Sequence, residues 1–271
     1  MRVTPTTAAA DASTASATAI FSRPAIEGLL KAVRVGCLAL AGLFPLIMPA
    51  PAVAQSAPET RIASYRDRVA RLEDQDAVEN LQATFGFYFD KGLWNDAADL
   101  FARSGTFEYG QSGVYVGQDH IRRALLLFGP QGLGQGYLNN HMMLQAVITV
   151  APDGRTATGR WQGPMMLSEP GANGIWGVGI YENEYVKEGG VWKFAKFHFY
   201  PTALTDYDRG WARSLLPMKG QSALFPPDKP PTVVYRTMPG NYIPPFSYKH
   251  PVTGEPLTNL PQAADSVTGR K

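Results

Sequence analysis

Cysteine is all but missing from this chain: among 271 residues the only one is Cys37. It falls in an N-terminal leader, so the rest of the chain can form no disulfide and offers no thiol nucleophile or thiolate metal ligand. Three catalytic signatures are absent as well: the G-x-x-x-x-G-K-[ST] phosphate loop, the G-x-S-x-G nucleophile elbow and the H-E-x-x-H metal pair. Their absence removes the sequence signs of P-loop nucleotide hydrolysis, elbow-type serine hydrolysis and zinc-protease chemistry. Gly132-Leu-Gly-Gln-Gly lacks the dinucleotide spacing and follows a helical pattern, not a strand. Neither a cofactor nor a metal is expected. Excess charge is also scarce, with 25 Lys and Arg against 23 Asp and Glu. Arg2, Arg23, Lys31 and Arg34 against Asp11 and Glu27 give residues 1–54 the whole chain's +2, which leaves the remainder formally neutral. A neutral chain without a basic stripe has no electrostatic footprint for nucleic acid.

The leader is the first positive feature. Arg23, Lys31 and Arg34 precede an uncharged run from Val35 to Met48, and Ala52-Val53-Ala54 follows before Gln55. Basic flank, short apolar run and A-x-A site describe a secretory signal peptide at residues 1–54, cleaved after Ala54. The run is shorter than the roughly 20 residues that span a bilayer. An uncleaved anchor and a core helix are the other readings. Export to the periplasm or outside the cell is the expectation, with no membrane contact after cleavage.

Residues 55–63 read as a linker. Val78, Leu81, Phe85 and Phe89 then recur at three- and four-residue steps, the stripe of an amphipathic helix that ends near Lys91-Gly92. Leu93, Ala97, Leu100 and Phe101 make a shorter stripe, and Asp119 is placed to cap a third helix carrying Ile121, Leu125 and Phe128. From Met142 the period changes to two: Met142 to Val150, Thr156 to Leu167, Ile175 to Lys187 and Val191 to Tyr200 read as strands, the last two a hairpin around Glu188-Gly189-Gly190. Helices first and hairpin-linked strands after predict an α+β fold with helices on one face of a curved antiparallel sheet. Beyond Tyr200 the period is lost. Residues 201–271 are proline-dense yet carry Trp211, Tyr235, Tyr242, Phe246 and Tyr248, which predicts an extended arm laid over the domain or over a partner subunit.

Several segments resemble one family. Arg71-Leu-Glu-Asp-Gln-Asp-Ala-Val, Phe89-Asp-Lys-Gly-Leu-Trp, Asp99-Leu-Phe, Asn140-His-Met-Met-Leu, Asp153-Gly-Arg-Thr-Ala and Gly190-Val-Trp-Lys-Phe occur in the order and spacing of SnoaL-like domains of the nuclear transport factor 2-like superfamily. The resemblance covers about residues 64–200. It implies a cone-shaped curved sheet with the N-terminal helices on its concave face, and a homodimer or higher homo-oligomer. The superfamily includes dehydratases, isomerases, cyclases, hydrolases and binding proteins, so fold alone does not choose among them.

Within it the sequence resembles scytalone dehydratase, which eliminates water without a cofactor. Asp90 resembles that enzyme's helix-end aspartate, His141 its strand histidine and Tyr109 its first-strand tyrosine. Phe89 stands where that family has a tyrosine, with Tyr88 adjacent, Trp161 falls near its second histidine and Tyr181 near its asparagine. A second parallel is a bacterial family of this fold that removes formaldehyde from lignin-derived diarylpropanes.

His141 can take or give a proton near neutral pH, and Asp90 can fix its tautomer. The apolar face of the following strand is the opposite one, so an early strand start or a bulge must turn His141 inward. His198, two residues from Tyr200 and grouped by alternation with Trp192 and Phe194, is a second candidate. Tyr109, Tyr88 and Tyr181 are candidate hydroxyl donors, and Glu108 and Glu184 read as solvent-facing. Trp161, Trp176, Phe89 and Met143 are candidates for the wall around a small aromatic substrate. Three functions remain open: a cofactor-independent lyase removing water or formaldehyde from a phenolic substrate, an isomerase or cyclase with Asp90 as base, and a non-catalytic binder of apolar molecules.

Overall fold

The computed structural model describes residues 56–172, 174–258 and 260–261. The leader, Cys37 and the cleavage site lie outside them. Helix α1 spans Ser56–Asp90, α2 Trp94–Asp99 and α3 Gln118–Leu125. The strands are β1 Phe101–Tyr109, β2 Val114–Val116, β3 Leu138–His141, β4 Leu144–Val150, β5 Thr156–Ser168, β6 Ile175–Glu188 and β7 Val191–Asp206. They form one curled sheet in the order β2-β1-β7-β6-β5-β3, with β4 also on β5. The fold class is α+β, as the element order predicts. Among the described residues no helix is long and apolar enough to cross a membrane.

The core follows the helical stripe. Val78, Phe85 and Phe89 are buried on α1, and Phe85 meets Phe197 at 4.5 Å and Phe194 at 5.5 Å on the inner face of β7. Each such ring contributes about 1.5–3 kcal/mol by leaving water. Gly92, at φ +64, ends α1 in the left-handed conformation that glycine adopts without cost.

Four expectations change. Helix α1 begins at Ser56, taking in the residues read as linker; Pro58 sits in its first turn, where a missing N–H costs nothing. The N-cap of α3 is Gly117, not Asp119, which lies in the first turn and pairs with Arg122. The sheet is mixed, because β1 joins β7 in parallel while every other pair is antiparallel. Strand β7 runs on to Asp206, past Tyr200, with a register irregularity opposite Val178 and Gly179 that lets the chain continue through Pro201.

The described part of the arm lies on the outer face of its own domain. Val114 bridges Lys229 at the β2 edge, the Tyr115 hydroxyl donates to the Phe225 carbonyl at 2.8 Å and the Tyr235 hydroxyl donates to the Pro201 carbonyl at 3.1 Å. Arg160 donates to the Pro245 carbonyl at 3.1 Å and lies over the Phe246 ring at 4.0 Å.

Candidate functional site

His141 is the last residue of β3, and the backbone break that follows it turns its ring inward. Gln145 has φ 54, and the β4–β5 register shifts between Leu144 and Val147. The short strand β3 is therefore separate from the run beginning at Leu144. Asp90 closes α1 opposite it. The Asp90 carboxylate accepts the His141 backbone N–H at 2.9 and 3.1 Å, and its Oδ1 lies 2.8 Å from His141 Nδ1. Both residues are buried. If Nδ1 carries the proton that Asp90 accepts, the lone pair of a neutral imidazole sits on Nε2. Nε2 has no hydrogen-bond partner among the described residues.

Rings surround the pair. Phe89 meets His141 edge-on at 4.8 Å and Phe128 at 4.9 Å. Phe128 in turn meets Tyr109 at 4.9 Å, and Phe199 lies 4.8 Å from Tyr109 and 4.4 Å from Tyr181. Tyr109 places its hydroxyl 3.5 Å from Met165 Sδ, and Met165 is the β5 partner of His141. Burial pushes the Tyr109 hydroxyl well above its ordinary range. Tyr181 is raised by burial first, and further by the nearby Tyr109 and Asp90. Both phenols stay protonated, so each keeps an O–H to donate and an oxygen that can accept.

Glycines set the shape of this wall. Gly163, Gly177 and Gly179 line the inner face of β5 and β6, where a Cβ would overlap Tyr181 at Gly163, Met165 at Gly177 and Phe199 at Gly179. The three larger side chains lie flat on bare backbone, which alone leaves them room.

His141, Asp90, Tyr109, Tyr181 and Phe89 are thus gathered on the concave side. Met143 joins them: it packs against the core beside Gly86, and its Sδ accepts from Gln82 Nε2 at 3.2 Å. Trp161 points inward but belongs to the opposite end. It is four residues, about 13 Å of strand, from Met165 and packs on Tyr185 at 5.8 Å. Tyr88 is half-buried and Phe89 takes the place beside His141, since successive helical residues point about 100° apart.

His198 and Trp176 lie on the other side of the sheet. The register of β7 shifts around Ala195, Glu184 facing Lys196 but Tyr185 facing Phe194, so one extra residue reverses the alternation. Phe194, Phe197 and Phe199 consequently point inward, and His198 and Tyr200 outward. Trp176 alternates with inward Gly177 and stacks on Tyr207 at 6.4 Å. Glu108, read as solvent-facing, is 2% exposed beneath the arm, where it accepts from the Thr232 N–H and hydroxyl, each at 2.8 Å.

Sequence reasoning missed Phe128, Phe199 and a buried polar set beside Tyr185. There Gln82 Oε1 accepts from Asn183 at 2.8 Å and from the Tyr185 hydroxyl at 2.9 Å, while Asn183 Oδ1 accepts the His198 backbone N–H at 2.9 Å. The available signal was Gln82, a polar residue one position from Leu81 on the core side of an otherwise apolar stripe. Among the described residues no group of three His, Cys, Asp or Glu side chains is placed to hold a metal ion.

Residues 70–198 match the SnoaL-like domain family. Residues 70–198 are a SnoaL-like domain. Similar solved structures include a proposed scytalone dehydratase from Novosphingobium aromaticivorans, 20% identical with TM-score 0.45, covering 57% of this chain and 99% of that one. An NTF2-like protein with a cystatin-like fold from the same species is 20% identical with TM-score 0.44, covering 57% and 93%. A protein of unknown function from Mycobacterium tuberculosis is 20% identical with TM-score 0.42, covering 48% and 73%. No curated protein matches the chain.

Proposed function

We propose that the SnoaL-like domain is a cofactor-independent lyase that removes water, formaldehyde or both from a small phenolic substrate. The observation that carries the reading is the buried His141–Asp90 pair, 2.8 Å apart, with Nε2 left for a substrate in an aromatic, water-poor surround. In a dehydration, Nε2 takes a proton from carbon, the adjacent C–O bond breaks, and the leaving hydroxyl departs as water with the proton that His141 returns. Tyr109 and Tyr181 donate to oxygens on which charge develops. On a para-hydroxyphenyl substrate, the benzylic hydroxyl and the phenolic proton leave together as water, and a quinone methide remains. The neighbouring hydroxymethyl group then leaves as formaldehyde: its O–H proton passes to His141, and the carbon–carbon bonding pair restores the aromatic ring. Residues 1–54 would export the enzyme to where such fragments are met.

The geometry also weighs against Asp90 as an isomerase base, because its oxygens are already engaged by two donors of His141. The test is incubation of the protein with a panel of phenolic dimers and hydroxylated polycyclics, following products by mass. Loss of water or formaldehyde that falls at least about a hundredfold in His141→Ala supports the lyase. Undiminished turnover in His141→Ala refutes it, an unchanged mass with altered retention points to an isomerase, and retention without conversion points to a binding protein.

A further inference from the structure

Helix α1 carries a second apolar stripe that its own domain does not use. Residues 58–73 are exposed throughout, and the first buried residue of the helix is Val78. The sixteen residues 58–73 therefore run for about 24 Å of helix that no described residue covers. A helix of that length is marginal in water unless it packs against something. Ile62, Tyr65, Val69 and Leu72 are 50%, 51%, 51% and 64% exposed, and their steps of three, four and three residues align them on one side. At 100° per residue that side is roughly opposite to Val78, Phe85 and Phe89, so the stripe is not an overhang of the core face. Phe87, 73% exposed, lies in the same direction further along.

We propose that this face of α1 is a homodimer seam, in which the helices of two copies run in parallel with Ile62, Tyr65, Val69 and Leu72 meeting across the two-fold axis. The occupant is chosen by the heptad. Ile62 and Val69 occupy the a positions and Tyr65 and Leu72 the d positions, and β-branched a residues with leucine at d suit two parallel strands. Arg68, at g, faces Glu73, at the following e, of the second copy. Arg61 opposes Arg66, a like-charged pair, toward Ser56, and Asp76 at the next a position ends the seam just before the first buried residue, Val78. Two apolar residues per heptad make the narrow seam of a coiled coil. A membrane surface would call for a stripe at least 100° wide.

Sedimentation equilibrium of the full chain tests this, beside Val69→Arg/Leu72→Arg and beside the chain begun at Gln55. The expected result is a dimer for the full and shortened chains and at least about tenfold weaker association for the double variant. The variant should keep the domain's near-ultraviolet circular dichroism, because both side chains are exposed and neither packs in the core. Val69→Cys in a Cys37→Ser background should form a covalent dimer on oxidation. A monomeric full chain, a dimer untouched by the double variant, or a dimer lost on removal of residues 1–54 would each overturn the seam. So would a monomer that instead binds anionic vesicles, and failure of Val69→Cys to cross-link overturns the parallel arrangement.

Discussion

Acid should weaken this protein through a histidine that plays no part in the proposed chemistry. His198 is fully buried on the outer face of β7, stacked at 3.7 Å on Tyr200, and neither ring nitrogen has a hydrogen-bond partner among the described residues. Glu108 Oε2 lies 3.4 Å from its Nδ1, a distance that would suit an ion pair. Burial, and secondarily the charge of Lys196, nevertheless hold the imidazole down at about 3, while burial raises Glu108. The imidazole is therefore neutral at pH 7, and the contact is not an ion pair. Because the folded value lies below the ordinary 6.5, the unfolded chain binds the extra proton first. Stability then falls as pH drops from 6.5 toward 3. The full span is worth about 5 kcal/mol at 1.36 kcal/mol per pH unit, and about 3 kcal/mol of it is lost by pH 4. Urea unfolding at about pH 7.5 and pH 4 should show the native chain losing about 3 kcal/mol more than His198→Phe. Glu108 acts in the opposite sense but is present in both proteins, so only its coupling to His198 enters the difference. Equal acid losses in the two proteins would refute a neutral, partnerless His198.

Three further outcomes follow from the geometry. Gly163→Ala would drive a methyl into the Tyr181 ring and to 3.0 Å from Phe199; chemical denaturation should show a loss of about 1–3 kcal/mol, and an unchanged midpoint would mean the ring has space it does not show. Thr232→Val removes one of the two donors to buried Glu108, so limited proteolysis within residues 219–258 should speed up while the domain's own unfolding changes little. Asp90→Asn should cost turnover on any substrate by about tenfold or more and move the acid limb of its pH profile, whereas a purely structural role would lower the melting temperature and leave the profile in place.

Much of the fold is legible because its signals are local. The α1 stripe, the Gly92 exit and the period-two runs from Thr156 to Tyr200 each depend on neighbours a few residues apart. Asp90 and His141 were legible for another reason: both stand at element ends, where a titratable residue beside Gly92 or after Asn140 interrupts an apolar pattern. What alternation cannot report is an inserted residue. The bulge around Ala195 carries Trp192 and Phe194 to one face and His198 to the other, although all are an even number of residues apart. Trp176 was misjudged for a related reason, since its inward neighbour is Gly177, a residue with no side chain to announce the face. The burial of Glu108 depends on Thr232, 124 residues away, and no local pattern encodes so distant a cover.

The two faces of the sheet handle buried titratable groups in opposite ways, and that contrast separates catalytic candidates from structural ones. On the concave side His141 has a carboxylate on one nitrogen and leaves the other open, so protonation and deprotonation each have a partner ready. On the convex side His198 has neither, and the arm that seals it supplies Thr232 to Glu108 and Tyr235 to Pro201 but no donor or acceptor to the imidazole. A group that can change charge only at a cost of several kcal/mol cannot cycle a proton during turnover. His198→Phe should therefore leave turnover of any substrate near its native rate while His141→Ala abolishes it, and a comparable loss in both would mean that the arm face, too, opens to the substrate.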